Sequence, residues 1–372
     1  MSSGAVWLPS RELPARIRGT PVALLDQAVA AIQRAYALDD ALEEWVLEPS
    51  VEAAAVDAFE SQYVRAWLDR LIQHACTDAT AMHLVDPAAA LVVHLAGQAA
   101  SGTRERIYRF FLSDEAPSSR TEAAAAVRIR DVTLTEDALG ARTWGAAPYL
   151  ARRLLQQYTH APRPTSVLEL GAGTGLVGLT LAQWLVAQGA SAHVTLTDHH
   201  AAVLENLAHN AAVNAVPGVD VRRLDWQKVY EAQYPVSDSY CTTAQTLPMH
   251  NEARAAAFDL LPSDAQYELL VAADCIYDPQ HAVWIEAVAR QHLVRAGAGA
   301  RPQLQLLLPV RSTHHAELQS VYDTFCAPRW AMVAEHTLDG IDNFGPAQLR
   351  QGTETSRVGS FVAYRHLIIE RL

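Results

Sequence analysis

The stretch Val167-Leu168-Glu169-Leu170-Gly171-Ala172-Gly173-Thr174-Gly175 decides the fold. A short apolar strand runs directly into a glycine-rich turn, and Leu176 to Ala187 follows as a buried helix. Glycine is needed in such a turn because the backbone bends tightly and lies against a ligand, where a Cβ would collide. The next apolar segment, His193-Val194-Thr195-Leu196-Thr197, reads as a second strand. It ends at Asp198, a carboxylate placed to bind both hydroxyls of a ribose. Strand, glycine turn, helix, strand and acid together predict a nucleoside-binding half-site.

Two cofactor classes compete for that half-site. A dinucleotide pattern G-x-G-x-x-G can be traced through Gly173, Gly175 and Gly178, but its first glycine should directly follow the strand. The glycine that does so is Gly171, and counting from it puts Leu176 where the third glycine belongs. Glu169, just before the turn, would repel a pyrophosphate and suits a ligand carrying an ammonium and a sulfonium. S-adenosylmethionine is therefore the first choice, ahead of NAD and of a turn that only packs.

Composition narrows the remaining classes. A chain of 372 residues, half of them hydrophobic, is long for one domain and predicts two. The net charge of −12 argues against direct nucleic-acid binding, which needs clustered basic residues. Lys228 is the only lysine among 29 basic residues, a bias of the kind a GC-rich genome produces. Cys76, Cys241, Cys275 and Cys326 are far apart and form no C-x-x-C pair, which predicts reduced thiols in the cytoplasm and no metal site. The N-terminus has no apolar signal region, and the long apolar stretch Leu84–Leu95 is interrupted by Asp86 and His94; no membrane span is expected.

The two halves of the chain differ in character. Residues 1–120 predict a mainly helical domain, with Val22, Leu24, Leu25, Val29 and Ile32 on one helix face and Tyr63, Val64, Trp67, Leu68 and Ile72 on another. Pro87 and the small-residue run Ala96–Gly102 break this pattern. Arg104 to Leu112 fits a strand or a short helix, and Pro117–Ser119 a linker. Residues 121–372 predict the second domain, entered through the alternating strand Val127–Val132. From Thr165 strands and helices alternate, which predicts a parallel sheet covered on both faces. Strands are expected at Val219–Leu224, Tyr267–Ala273, Leu304–Leu308, Trp330–Thr337 and Val358–Ile369, the last two as an antiparallel pair. A helix is expected around Ala282–Leu293. Residues 230–264 look like a polar insertion carrying one short helix around Glu252–Leu260.

Ligands bind at the carboxyl ends of strands in such sheets, and four features collect there. Trp144 precedes the helix leading into the first strand. Asp198 closes the second. Asp225-Trp226 follows the third, where an indole can pack on an adenine ring. Asp274-Cys275-Ile276-Tyr277 follows the fourth, with the acid at the strand end. Each has a plainer reading as a helix cap or core aromatic.

Together, Thr143-Trp144-Gly145, the Val167–Gly175 turn, Asp198, Leu224-Asp225-Trp226 and Ala273-Asp274-Cys275-Ile276-Tyr277 resemble the methyltransferase family 16 group of seven-β-strand enzymes. Thr197 to Leu207 is most similar to the branch that methylates lysine in elongation factor 2, and Ser61 to Leu68 fits that branch too. The resemblance implies a Rossmann-like, seven-stranded mixed sheet and S-adenosylmethionine-dependent methylation of a protein lysine. It implies that Trp144, Gly171, Ala172, Gly173, Asp198, Trp226 and Ala273 contact the cofactor, joined by Glu169 from the charge argument above. It also implies that Asp274 and Tyr277 line the lysine entry. The insertion at 230–264 departs from the compact family pattern.

Overall fold

The structure, a computed structural model, describes residues 8–35, 43–46, 58–95, 102–112, 123–132, 139–235, 253–295, 301–311, 315–342 and 360–372. The chain forms two compact units. Among the described residues the first holds 8–35, 58–95, 102, 341–342 and 360–361; the second holds 43–46 and the described parts of 103–340 and 362–372.

The first unit is helical: α1 Pro9–Glu12, α2 Val22–Ala35, α3 Ala58–Ala75 and α4 Val85–Leu95, with a 3-10 turn at Met82–Leu84. The apolar stripes pack as the periodicity predicts, with adjustments. Leu25, Ala28, Val29 and Ile32 of α2 are buried, while Leu24 is exposed; α3 buries Val64, Trp67, Leu68, Leu71 and Ala75. The Trp67 indole donates to the Pro14 carbonyl at 2.8 Å, and Glu60 accepts from both the backbone and the hydroxyl of Ser10. Pro87 falls in the first turn of α4, where a missing N–H removes no helical bond.

In the second unit, β1 Glu43–Val46, β2 Arg104–Phe110 and β3 Ala125–Asp131 form a three-stranded sheet. Because β2 pairs antiparallel with β3 along its whole length, this unit takes in Glu43–Val46 and the chain from Thr103 on, where the sequence placed a single boundary at 120. The proposed linker Pro117–Ser119 lies outside the described residues.

The main sheet contains β4 Ser166–Leu170, β5 His193–Asp198, β6 Val219–Arg223, β7 Leu269–Ala273, β8 Gln303–Pro309, β9 Trp330–Asp342 and β10 Ser360–Arg371. Their order is β6-β5-β4-β7-β8-β10-β9. The first five are parallel and β10 runs antiparallel to β8, giving the mixed seven-stranded sheet expected. The helices are α5 Ala146–His160, α6 Leu176–Ala187, α7 Ala201–Asn214, α8 Trp226–Gln233, α9 Pro279–His292 and α10 His315–Thr324. Alternation along the strands divides the core. Val167, Val194, Leu269 and Val271 face one layer with α5 and α6; Leu168, Leu170, Leu270 and Ala272 face another with Ile285 and Val288 of α9.

The outer edge of β3 is closed by side chains. Asn206, Asn210 and Asn214, spaced one turn apart on α7, pair with the backbone of Arg130 and Arg128. Gln183 of α6 accepts from Ala126 N at 2.8 Å. Carboxamides offer the same donor and acceptor as a peptide, so this ladder replaces a missing strand. Asn210 also donates to the Thr174 carbonyl at 3.0 Å, tying the glycine turn to β3.

Candidate active site

The glycine turn is built as its sequence demands. Gly171, Gly173 and Gly175 have φ of 60°, 56° and 82°, the left-handed region that side chains disfavour. A Cβ on Gly171 would lie 3.1 Å from the Trp226 ring and 3.3 Å from Cys275 Cβ; one on Gly173 would lie 2.7 Å from the Gly140 carbonyl oxygen. Three other segments therefore close on this turn: the loop before α5, the start of α8 and the exit of β7.

Each is fixed locally. Asp131, buried at the end of β3, accepts from Thr143 N at 2.7 Å, and the Thr143 and Thr174 hydroxyls meet at 2.9 Å. The buried Arg142 donates to the Val132 carbonyl at 2.7 Å. The loop carrying Trp144 is thus pinned to the turn. Asp198 accepts from Gly173 N at 3.3 Å, from His199 N at 2.8 Å and from His200 N at 3.2 Å. Asp225 caps α8 by accepting from Lys228 N, which sets Trp226 as the first helical residue. The Trp226 indole nitrogen is buried and has no hydrogen-bond partner among the described residues.

Glu169, assigned to the cofactor by the charge argument, is buried beneath the turn. Its Oε2 accepts from Gly178 N of α6 at 2.8 Å, and the residue is only 3% exposed. Alternation aims it into the layer with Val167, beneath the turn. Burial pushes its pKa up to about 8, with the Gly178 N–H opposing and the charge of Asp198 adding. Glu169 serves as the missing cap of α6, whose N-cap Gly175 has no side chain.

That burial has a measurable consequence. Between the ordinary value of 4.5 and about 8, the folded protein keeps a proton on Glu169 that the unfolded chain releases. Stability contributed by the neutral acid is complete below that window and is lost as pH rises through it. Glu169→Gln keeps an acceptor for Gly178 N and has no charge to bury. The variant should therefore melt above wild type on the alkaline side of the window, with the difference vanishing on the acid side. Parallel melting curves across the range would refute this account.

At the exit of β7, Ala273 ends the strand and Asp274 N extends the ladder to the Leu307 carbonyl at 2.9 Å. The chain then turns sharply, with Asp274 at φ 54°, a left-handed conformation rare outside glycine and best tolerated by Asn and Asp. Such strain at a strand end is a mark of functional sites. The Asp274 carboxylate lies 3.9 Å from the Arg311 guanidinium. It shares a surface depression with Tyr277, Pro309, Arg311, Glu317 and Leu318. Tyr277 is 67% exposed and packs edge-on against His281. Burial holds the Cys275 thiol well above its ordinary pKa, so it is no nucleophile. Among the described residues no cluster of three or more His, Cys, Asp or Glu side chains can hold a metal, and no helix is long and apolar enough to cross a membrane.

The structure thus gathers the turn, Asp198, Trp226, Ala273, Asp274 and Tyr277 at one end of the sheet and pins the Trp144 loop beside them. The sequence did not single out Arg311, Glu317 or His281. Only His281 carried a signal, four residues after Tyr277 and so one helical turn away.

A strand–glycine turn–helix followed by an acid at the next strand end is the nucleoside half-site that the sequence predicts, and S-adenosylmethionine is its cofactor. A family model described as lysine methyltransferase matches residues 124–239, under half of the chain, and the motif resemblance to methyltransferase family 16 holds there. The chain is also similar to the protein-lysine N-methyltransferase EFM2 of Saccharomyces cerevisiae, 23% identical over 236 residues, covering 60% of this chain and 49% of that protein. The protein-lysine N-methyltransferase rrg1 of Schizosaccharomyces pombe is 26% identical over 264 residues, covering 70% and 74%. A protein N-lysine methyltransferase of Xenopus tropicalis is 38% identical over 96 residues, covering 25% and 41%. The chain thus spans about half the length of the first of these relatives.

Proposed function

We propose that this protein transfers a methyl group from S-adenosylmethionine to a lysine side chain of a folded protein, with elongation factor 2 in the cytoplasm as its target. The observation that carries the reading is the contact between the two halves of the site. Cys275, flanked by Asp274 and the Ile276-Tyr277 pair, lies against Gly171 of the cofactor turn. An acceptor entering beside Asp274 therefore arrives next to the place where the donor is held.

When bound, S-adenosylmethionine supplies an electrophilic methyl group. The chain's own residues do the rest. Gly171, Ala172 and Gly173 turn the backbone toward the ligand, Asp198 takes the ribose hydroxyls, and Trp144, Trp226 and Ala273 flank it. Glu169 supports the turn from beneath. Methyl transfer to an amine is mainly a matter of alignment and exclusion of water. Asp274 accepts a hydrogen bond from the incoming ammonium and holds it while one proton passes to solvent water and leaves the neutral amine, and the Tyr277 ring face lines the channel. The Arg311 guanidinium lies 3.9 Å from Asp274, so the substrate cation enters beside a second positive charge that the carboxylate also balances.

The elongation factor target is supported by the resemblance from Thr197 to Leu207. The helical unit, with a core of its own, is assigned to protein recognition, since a folded partner commonly engages about 800 Å² per side. Mass spectrometry of elongation factor 2 from cells with and without this gene is the test. One lysine should lose its methylation when the gene is absent, and the purified enzyme should restore it on folded elongation factor 2 but not on a short lysine peptide. An unchanged pattern would move the assignment to another protein.

A further inference from the structure

Tyr277 is two-thirds exposed, yet a lysine channel needs its ring held in one place. The ring meets His281 edge to face, with centroids 4.3 Å apart and planes at 89°. His281 lies one turn further on, within α9, and is 8% exposed. Its Nδ1 is 3.2 Å from the Cys275 carbonyl oxygen. Burial lowers its pKa, so the imidazole is neutral at neutral pH, and a proton on Nδ1 is donated to that carbonyl. The same ring stands 6.1 Å from Trp226 at 80° and 5.3 Å from Trp284.

One buried imidazole thus joins three parts of the site. Its ring edge or face orders Tyr277. Its Nδ1–H holds the backbone immediately after Asp274, where the chain carries a left-handed residue. Its far side meets the indole that covers Gly171. An isolated core histidine would have no reason to connect all three.

We infer that His281 is a positioning residue, which holds Tyr277 over the acceptor entry by its ring and fixes the Asp274–Cys275 backbone by its Nδ1–H. This deepens the lysine methyltransferase reading above and rests on it. The two functions of the side chain are separable. His281→Asn retains an N–H for the Cys275 carbonyl but has no ring for Tyr277. His281→Phe retains the ring and has no donor.

The experiment is steady-state kinetics of the full chain on its protein substrate, with calorimetry of S-adenosylhomocysteine binding and melting curves for each variant. Aromatic pairs and single hydrogen bonds each correspond to changes of roughly 5- to 10-fold. His281→Asn should raise KM for the protein substrate by roughly that factor with kcat near wild type. His281→Phe should lower kcat by a similar factor with KM near wild type, and His281→Ala should show both. Cofactor affinity should change less than about threefold in all three. A merely structural histidine would instead lower the melting temperature and the active fraction alike, with KM unchanged; that pattern, or variants that keep both constants, would overturn the inference. A wild-type protein that binds cofactor but methylates no lysine would overturn the underlying function instead, so the two failures are distinct.

Discussion

Replacing Asp274 by Asn is expected to lower kcat about 100-fold while leaving cofactor affinity and melting temperature near wild type. The choice of Asn follows from the backbone. Asp274 sits at φ 54°, a conformation that Asn also adopts at low cost, whereas Ala would add strain to the loss of charge. Asn therefore removes only the negative charge, and the comparison with Asp274→Ala separates charge from conformation. The charge matters because a lysine ammonium entering a half-desolvated depression needs an ionised acceptor for its N–H groups. An amide leaves it weakly paired beside the Arg311 guanidinium, and like charges then repel. Turnover should fall for Asn and Ala together, and only Ala should also lose stability. If Asp274→Asn turns over like wild type, the carboxylate is there for the strand end alone and the acceptor enters elsewhere.

What the sequence made readable follows from periodicity and glycine chemistry. The strand and helix at the glycine turn begin and end within a residue of the apolar pattern, because a central parallel strand is apolar on both faces and its helix is buried. Glu169 shows what reading along the chain leaves out. Its distance from the turn suggested a ligand contact, but period-two alternation already placed it on the face of Val167, toward α6. The start of α9 was legible too and was placed too late. Asp278 followed by Pro279 is a cap and first-turn pair, and Asp278 does accept from Gln280 N at 2.8 Å. The stretch after Trp226 reads as polar because α8 buries no residue completely, so it lacks the apolar face that announces a helix. Within the supposed insertion, Leu260 bridges to Arg223 and prolongs the sheet edge. Residues 236–252, with part of the expected short helix, lie outside the described residues.

The asparagine ladder illustrates a different limit. Three Asn at intervals of four are unusual in a helix that favours alanine and leucine, and that spacing was visible. Its meaning was not, since the partner is the backbone edge of a strand some 80 residues earlier. Arg311 had no signal at all; only the fold brings the end of β8 beside the end of β7.

The second large effect is expected at Asp198. Asp198→Ala should weaken S-adenosylmethionine binding by about 1–3 kcal/mol, the scale of charged hydrogen bonds lost from a largely enclosed site. Two losses contribute. The acceptor for the ribose hydroxyls disappears, and so does the brace that receives the amides of Gly173, His199 and His200. Asp198→Asn separates them: one carboxamide oxygen can still accept from His199 N, while the amide nitrogen opposes Gly173 N and offers a donor where two hydroxyls seek acceptors. Its affinity should fall between those of Ala and wild type if bracing dominates, and at or below that of Ala if hydroxyl recognition does. Calorimetry with S-adenosylhomocysteine resolves the order, with NAD as the control ligand. The register of the turn from Gly171 excludes a third close glycine at Leu176, so NAD should give no heat with either protein. Tight NAD binding, or an Asp198→Ala variant with undiminished affinity, would mean that the end of β5 does not hold a nucleoside as argued.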